Sequence, residues 1–298
     1  MGTIGFIGLG IMGKPMAKNL LAGGCALLVN DIDKDAEAAL AALGATVASP
    51  VEMAKACDII FTILPNGAVV QEVLLSAEGI TRDARPNLIV VDMSSVTPTE
   101  SQTCADALAR HGIAFLDCPV SGGEPGAIAG TLAFMCGGKQ EDFDRVVPYF
   151  DIMGSSAVLI GGTGAGSVTK LANQVIVNLT IAAVSEALVL ASKAGADPQK
   201  VYQAIRGGLA GSAVLDAKAP MMMARNFTPG GKISINHKDI KNVVNTAHDL
   251  DVPVPLSSQL FEIMQALKVA GHMEDDHSGI VQHFEKLAQV EVKKHEEA

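Results

Sequence analysis

A glycine-rich turn near the N-terminus constrains the fold of this chain more than any other feature. Residues Thr3–Gly13 form an apolar run that ends in the pattern G-x-G-x-x-G, and an amphipathic segment follows it to about Ala22. This order predicts a strand, a tight turn and a helix, in which the first glycine permits the turn, the second lets a pyrophosphate approach and the third lets helix and strand pack closely. The alternative is a glycine-rich turn in an ordinary βαβ unit. The three glycines are Gly8, Gly10 and Gly13.

An acidic residue, Asp31, ends the second apolar run. A carboxylate at this position can accept hydrogen bonds from the adenosine ribose hydroxyls, and it would repel a 2′-phosphate. Ile32 and Asp33 follow where an NADP site usually has an arginine, so the sequence favours NAD over NADP, although Lys34 lies within reach of a phosphate. The alternative interpretation of Asp31 is a turn residue at a strand end.

Short apolar runs alternate with helical patterns over the first half of the chain. Bounded, β-branched runs suit strands that are buried on both faces of a largely parallel sheet. The alternation predicts an α/β fold with a Rossmann-type doubly wound sheet. The predicted strands are Thr3–Ile7, Ala26–Asn30, Asp58–Leu64, Leu88–Asp92, Ala114–Cys118, Leu132–Cys136 and Ala157–Ile160.

After Gly161 the pattern becomes helical. A long helix is predicted to run to about Ala194 before Gly195, and Asp197 is predicted to cap the next helix. With 298 residues, two domains are expected. We predict a dinucleotide-binding Rossmann domain over residues 1–162 and an all-α domain for substrate binding and oligomerisation over residues 163–298, beginning with the long helix.

Composition excludes several classes of function. The formal net charge of −10 argues against a nucleic-acid or anionic-membrane surface. Polar residues interrupt the most apolar stretch, Leu171–Ala194, which predicts a buried helix rather than a membrane span. The five cysteines form no C-x-x-C pair, which is typical of small core residues in a reducing cytoplasm.

Lys170 and Asn173, near the start of the long helix, are candidates for chemistry. They are three residues apart and therefore share a helical face. The positive end of the helix dipole and partial burial would lower the pKa of Lys170 from about 10.4 towards neutrality, which suits a general acid or base. The alternative is a solvated surface lysine.

Polar residues also follow three predicted strands. Ser121-Gly122-Gly123 offers a hydroxyl and unobstructed N–H groups, which could bind a small carboxylate or form a plain β-turn. The loops Leu64-Pro65-Asn66 and Asp92–Ser95 follow two others. Ligands of open α/β sheets bind outside the carboxyl ends of the strands, so we expect both loops to contact the cofactor.

Four separated motifs together resemble those of the β-hydroxyacid dehydrogenase family. They are Gly5–Met16, Asp117–Gly123, Gly164–Asn173 and Lys238-Asp239. The resemblance extends from about Thr3 to Lys293, and Cys118 departs from the alanine of the family's D-A-P-V-S-G-G pattern. Within the family, the segment Val201–Pro220 is most similar to the tartronate semialdehyde reductase subgroup. That similarity could also reflect a helical packing surface.

The resemblance implies an NAD-dependent oxidoreductase that interconverts a small 3-hydroxy acid and its semialdehyde, such as tartronate semialdehyde and D-glycerate. It implies Lys170 as the catalytic acid/base and a homo-oligomer, a dimer or a tetramer. It further implies substrate contacts from Ser121, Gly122, Gly123 and Asn173, and cofactor contacts from Ile11, Met12, Asp31, Leu64, Ser95 and Lys238.

Other functions compete with this prediction. One is a dehydrogenase for another short 3-hydroxy acid, such as 3-hydroxyisobutyrate. A 6-phosphogluconate dehydrogenase would need a longer C-terminal part and a basic cluster, and imine reductases usually lack the lysine. A non-catalytic dinucleotide sensor is the alternative outside enzymes. The segment His272–His277 raises a metal hypothesis, against which we expect a solvated acidic loop and no metal.

Overall fold

A computed structural model describes residues 2–294 of the chain. The chain divides into two compact units, Met1–Lys170 and Leu171–Ala298, and each has its own buried core. The division falls inside a long helix, whereas the sequence places the domain boundary after residue 162, at the start of that helix. The domain boundary predicted between residues 162 and 163 therefore stays a prediction.

The first unit is built on a nine-stranded mixed sheet. Its order is β3-β2-β1-β4-β5-β6-β8-β7, with β9 paired to β8. All pairs are parallel except those that β8 makes with β6 and β7. The strands are β1 Thr3–Ile7, β2 Ala26–Asn30, β3 Thr46–Val47, β4 Ile59–Thr62, β5 Ile89–Asp92, β6 Ala114–Asp117, β7 Val120–Ser121, β8 Leu132–Gly137 and β9 Gly154–Gly161.

Helices cover the sheet on both faces. Neighbouring residues of β4 alternate between two cores, because Phe61 packs with Phe6 and Phe150 in one whereas Ile60 packs with Val90 in the other. This two-sided burial confirms the doubly wound α/β prediction. The helices are α1 Gly13–Ala22, α2 Lys34–Ala41, α3 Pro50–Ala56, α4 Gly67–Leu75, α5 Pro98–Ala109, α6 Gly123–Ala129 and α7 Gln140–Met153, followed by the first turns of α8 Ala165–Lys193.

The apolar pattern did not indicate two of the strands, β3 and β7. Each has only two residues, and both residues of β3 are exposed. A strand this short carries no alternation for a sequence pattern to detect.

The second unit is helical, as predicted. Gly195, with a φ of +82°, follows α8, and the side chain of Asp197 accepts a hydrogen bond from the Gln199 N–H at the start of the next helix. The end of α8 and the start of the next helix therefore form where the sequence indicated. The remaining helices are α9 Pro198–Ile205, α10 Ala213–Met223, α11 Ile233–Asp249, α12 Pro255–Val269 and α13 Val281–Ala288, with a 3₁₀ turn at His277–Ile280.

Helix α8 buries one side and exposes another. Leu171, Ile181 and Leu188 pack into the core of the second unit, whereas Ile176 and Leu190 are 68% and 71% exposed. Within residues 2–294 it is the one helix long and apolar enough to cross a membrane, and 39% of its most apolar window is buried within the protein. The predicted buried helix is thus buried on one side only.

The acidic segment His272–His277 is not solvated throughout, which corrects the sequence expectation. Asp276 is fully buried and accepts hydrogen bonds from Lys218 Nζ at 2.9 Å and from the Gly230 N–H at 3.0 Å. Its neighbour Glu274 does face solvent, in an exposed ion pair with Lys232. The described range contains no group of three or more His, Cys, Asp or Glu residues that could hold a metal ion.

Candidate active site

The turn between β1 and α1 leaves space beside its backbone. Gly8 has a φ of +97°, in the left-handed region that favours glycine. A Cβ on Gly10 would meet no heavy atom of the described chain within 4 Å outside its own neighbours, whereas one on Gly13 would overlap the Gly8 carbonyl oxygen. The side chain of the N-cap residue Met12 makes no capping hydrogen bond to α1 within residues 2–294. The turn therefore fits an anionic group at this helix terminus.

The end of β2 carries several carboxylates and one lysine. Asp31 accepts hydrogen bonds from the Leu9 N–H and, at 2.8 Å, from the Asp33 N–H. The nearly buried Glu37 accepts from the Asp31 N–H at 3.0 Å and from Lys34 Nζ at 2.9 Å. Glu37 therefore forms an ion pair with Lys34, whose side chain is 73% exposed.

A buried aspartate joins the loops that follow β4 and β5. Asp92 Oδ1 accepts hydrogen bonds from Thr62 Oγ1 at 2.8 Å and from Ser94 Oγ at 2.5 Å, and Ser94 Oγ in turn accepts from the Leu64 N–H at 2.8 Å. Oδ2 of Asp92 has no hydrogen-bond partner within the described residues. Burial, together with the charge of Asp117, raises the pKa of Asp92 to about 6 even though these hydrogen bonds lower it.

Asp117 lies beside Asp92, on the neighbouring strand and in register with it. Its carboxylate accepts hydrogen bonds from the Gly164 N–H at 2.8 Å and the Ser167 N–H at 2.7 Å, so it holds the start of α8. Burial raises the pKa of Asp117, and these two N–H groups oppose the shift. A Cβ on Gly166 would overlap the main-chain oxygen of Asp117, which explains the second glycine of Gly164-Ala-Gly166.

Lys170 lies in the second turn of α8, next to the predicted substrate loop. Its Nζ donates a hydrogen bond to the Val120 carbonyl at 2.8 Å, and Val120 directly precedes Ser121. Gly122 and Gly123 follow with φ values of +134° and +61°. The structure therefore brings together, within the first unit, an amine, a hydroxyl and the backbone of two glycines.

Two other predicted contacts, Asn173 for the substrate and Lys238 for the cofactor, lie in the second unit. Asn173 Nδ2 donates to Gln174 Oε1 at 3.0 Å, and Gln174 Nε2 donates to Asp239 Oδ2 at 2.6 Å. Lys238 Nζ lies 3.1 Å from Asp239 Oδ1. One polar network thus joins α8 to α11 and holds both predicted residues.

The remaining predicted cofactor contacts lie in two loops at the carboxyl ends of β4 and β5. Asn66 has a structural task there, because its Oδ1 accepts a hydrogen bond from the Val69 N–H and caps α4. Pro65 lies in the same loop, and Ser95 follows Ser94 in the other.

The sequence indicated Asp92 only as part of a loop expected to contact the cofactor, and it assigned no supporting role to Asp92, Asp117 or Gln174. Asp92 and Asp117 are visible as acids that end apolar runs, and they end neighbouring strands. Gln174 gives no such signal, because a glutamine in a mostly apolar helix only interrupts the apolar pattern. Only its partner on α11 reveals what it does.

The comparisons with known proteins bear on both halves of the chain. Residues 3–162 match the family model described as the NAD binding domain of 6-phosphogluconate dehydrogenase. Residues 164–284 match that described as NAD-binding of NADP-dependent 3-hydroxyisobutyrate dehydrogenase. The chain is 42% identical over 285 residues to 2-hydroxy-3-oxopropionate reductase of Escherichia coli strain K12, covering 96% of this chain and 98% of that protein.

The chain belongs to the β-hydroxyacid dehydrogenase family.

Two further similarities show the breadth of this family. 2-(hydroxymethyl)glutarate dehydrogenase of Eubacterium barkeri is 34% identical, with 97% of each chain covered. The crystal structure of 3-hydroxyisobutyrate dehydrogenase from Salmonella typhimurium has a TM-score of 0.86 and 30% identity, covering 95% of this chain and 99% of that one. The chain is thus an oxidoreductase of this family, whose members differ in substrate.

Proposed function

We propose that the protein catalyses reversible hydride transfer between NAD(H) and a short 3-hydroxy acid or its semialdehyde, with tartronate semialdehyde and D-glycerate as the preferred pair. The observation that carries most of this proposal is the hydrogen bond from Lys170 Nζ to the Val120 carbonyl. It keeps an amine beside Ser121-Gly122-Gly123, the segment we propose as the carboxylate-binding loop.

In the proposed reduction, Lys170 donates a proton from Nζ to the oxygen of the aldehyde as that oxygen gains charge. A bound nicotinamide would supply the hydride, and it would accept one in the reverse direction. Ser121, Gly122, Gly123 and Asn173 orient the substrate, so that proton and hydride reach opposite sides of the carbonyl. Positioning and acid catalysis are the two contributions of the protein, and the second is worth about 10²–10⁴-fold.

For the cofactor we propose the turn residues Gly8, Gly10 and Gly13 at the pyrophosphate, with Ile11 and Met12 beside them. Asp31 would bind the ribose hydroxyls. NAD is favoured over NADP because Asp31, Asp33 and Glu37 surround the end of β2 and Glu37 already holds Lys34. We further propose contacts from Leu64, Pro65, Asn66, Ser95 and Lys238.

The substrate assignment is supported by the 42% identity to 2-hydroxy-3-oxopropionate reductase, which exceeds the 34% to 2-(hydroxymethyl)glutarate dehydrogenase. 3-Hydroxyisobutyrate is the alternative substrate, supported by the family model over residues 164–284 and by the Salmonella structure. The same model argues against 6-phosphogluconate as the substrate. A dinucleotide sensor without catalysis is the remaining alternative.

The test is steady-state oxidation of NADH, and of NADPH in parallel, with tartronate, methylmalonate and succinic semialdehydes. The expected result is the highest kcat/KM for tartronate semialdehyde with NADH. Preference for another semialdehyde would change the substrate assignment and leave the proposed reaction unchanged. Equal efficiency with NADPH would remove the NAD assignment. Tight NADH binding without any turnover would favour the sensor.

We also propose a cytoplasmic homo-oligomer, either a tetramer or a dimer. The exposed Ile176 and Leu190 on α8 support an oligomer, since apolar residues of this size favour burial against another surface. The five cysteines are buried thiols, and burial raises the pKa of Cys57 and Cys104 to about 12, which suits core residues of a reducing compartment. Light scattering coupled to gel filtration tests the oligomer, and a monomeric mass at micromolar concentration would contradict it.

A further inference from the structure

Gln174 lies at the centre of the polar network that joins α8 to α11. Its side chain is buried, and so are those of its partners Asn236 and Asp239. Gln174 Nε2 donates to Asp239 Oδ2 at 2.6 Å and to Asn236 Oδ1 at 3.3 Å, while its Oε1 accepts from Asn173 Nδ2 at 3.0 Å. Both ends of the amide are therefore in use.

These bonds determine how two neighbouring side chains are presented. Because Gln174 Oε1 accepts only, it selects the NH₂ end of the Asn173 amide and so sets which way that amide faces. Through Nε2, Gln174 also holds Asp239, whose other oxygen lies 3.1 Å from Lys238 Nζ. A buried network in which each member depends on the others keeps its side chains in one arrangement.

We propose that Gln174 is a positioning residue for the reaction, which acts through Asn173 on the substrate and through Asp239 and Lys238 on the cofactor. This inference rests on the proposed function, because Asn173 and Lys238 are proposed contacts. The side chain of Gln174 is buried and its hydrogen bonds go to protein side chains, so we infer that it acts through them. Its effects must therefore disappear when the residue through which it acts is absent.

The main variant is Gln174→Met, which keeps the length of the side chain and removes all three hydrogen bonds. With tartronate semialdehyde and NADH, we expect the substrate KM and the NADH Kd each to rise about three- to tenfold, the effect of one hydrogen bond to a contact residue. The matched control is Ser185→Ala. Ser185 is buried on the same helix and bonds to Ile181, and its loss is expected to leave both constants within about twofold.

Double-mutant cycles test whether Gln174 acts through its neighbours. In an Asn173→Ala background, Gln174→Met is expected to change the substrate KM by less than about twofold. In a Lys238→Met background, it is expected to change the NADH Kd equally little. Full additivity in both cycles would overturn the proposal, because the effect of Gln174 would then be independent of either contact.

The outcomes separate this proposal from the proposed function. If Asn173→Ala and Lys238→Met leave KM and Kd unchanged, the proposed contacts are wrong, and the positioning role is overturned with them. If both single variants have their effects but the cycles are additive, only the role of Gln174 is overturned. Thermal melting shows whether Gln174→Met folds. If it does not, Gln174→Asn, which is one methylene shorter and stays polar, enters the same cycles.

Discussion

Asp92 at the carboxyl end of β5 and Asp276 in the helical unit are both almost completely buried, at 1% and 0% exposure, yet their surroundings differ. Asp92 has hydroxyl and N–H donors on one oxygen and a second carboxylate, Asp117, on the next strand. Asp276 has Lys218 and the N–H groups of Gly230, Gly231 and Ser278.

The pKa values of the two groups consequently move in opposite directions. Burial raises the pKa of Asp92 to about 6, since its hydrogen bonds offset only part of the desolvation. Burial acts in the same sense on Asp276, but the Ser278 N–H and the charges of His277 and Lys218 outweigh it and lower the pKa. The helical unit uses its buried acid for stability, whereas the ends of β5 and β6 keep two carboxylates together at an energetic cost, next to the loops proposed to bind cofactor.

The strongest test of this contrast is removal of the lysine in the helical unit. Lys218→Met would leave the buried charge of Asp276 without its cation, and we expect a loss of about 3–5 kcal/mol in the free energy of unfolding. Lys232→Met, which removes the exposed ion pair with Glu274, is the control and is expected to lose less than about 1 kcal/mol. Urea unfolding measures both.

Lys218 lies in the segment that resembles tartronate semialdehyde reductases, so the same variant has a second use. At temperatures where it is folded, its substrate KM is expected to match that of the wild type. A changed KM would show that this part of α10 contributes to substrate selection, and Asp276 would then be more than a structural partner.

Lys170→Met is the corresponding test in the first unit. We expect kcat to fall at least about a hundredfold, or about 2.7 kcal/mol in the activation free energy, because the proton donor is lost. The NADH Kd should stay within about twofold, and the free energy of unfolding should change far less than in Lys218→Met. Stopped-flow reduction and NADH fluorescence titration measure the two constants. Full activity would refute the role of Lys170.

The stabilities contributed by the two acids are also expected to depend on pH in opposite directions. The folded pKa of Asp92 is raised, so its protonation favours the folded state, and wild-type stability relative to Asp92→Asn should increase by about 1–3 kcal/mol as pH falls from 7 towards 4. The folded pKa of Asp276 is lowered, so wild-type stability relative to Asp276→Asn should be constant above the ordinary value of 3.8 and decrease as pH falls below it. Chemical unfolding across this range measures both differences. Parallel curves would show that the two acids do not differ.

The smallest expected effect concerns cofactor choice at the end of β2. Glu37→Gln weakens the hold on Lys34, whose side chain is 73% exposed, so we expect kcat/KM with NADPH relative to NADH to rise about threefold. Lys34→Met should move the ratio the other way. An unchanged ratio in both variants would mean that this charge pair has no part in discriminating the 2′-phosphate.

Local patterns in the sequence determined most of the secondary structure of this protein and several of its motifs. Alternating apolar runs predicted seven strands and the change to helices after Gly161, because burial on both faces of a sheet or one side of a helix leaves a short-range period. The glycine turn, Lys170 and Ser121 were also visible, since their motifs are contiguous. None of these features needs information from distant parts of the chain.

The tertiary structure alone decided which distant polar groups meet. The register of β5 and β6 places Asp92 beside Asp117, and the packing of α8 against α11 brings Gln174 to Asp239. Lys218 and Asp276 are separated by 58 residues, yet they form a buried ion pair in what read as a solvated loop. Such pairs leave no periodic signal, because a hydrogen bond between two elements depends on their packing and not on the residues between them.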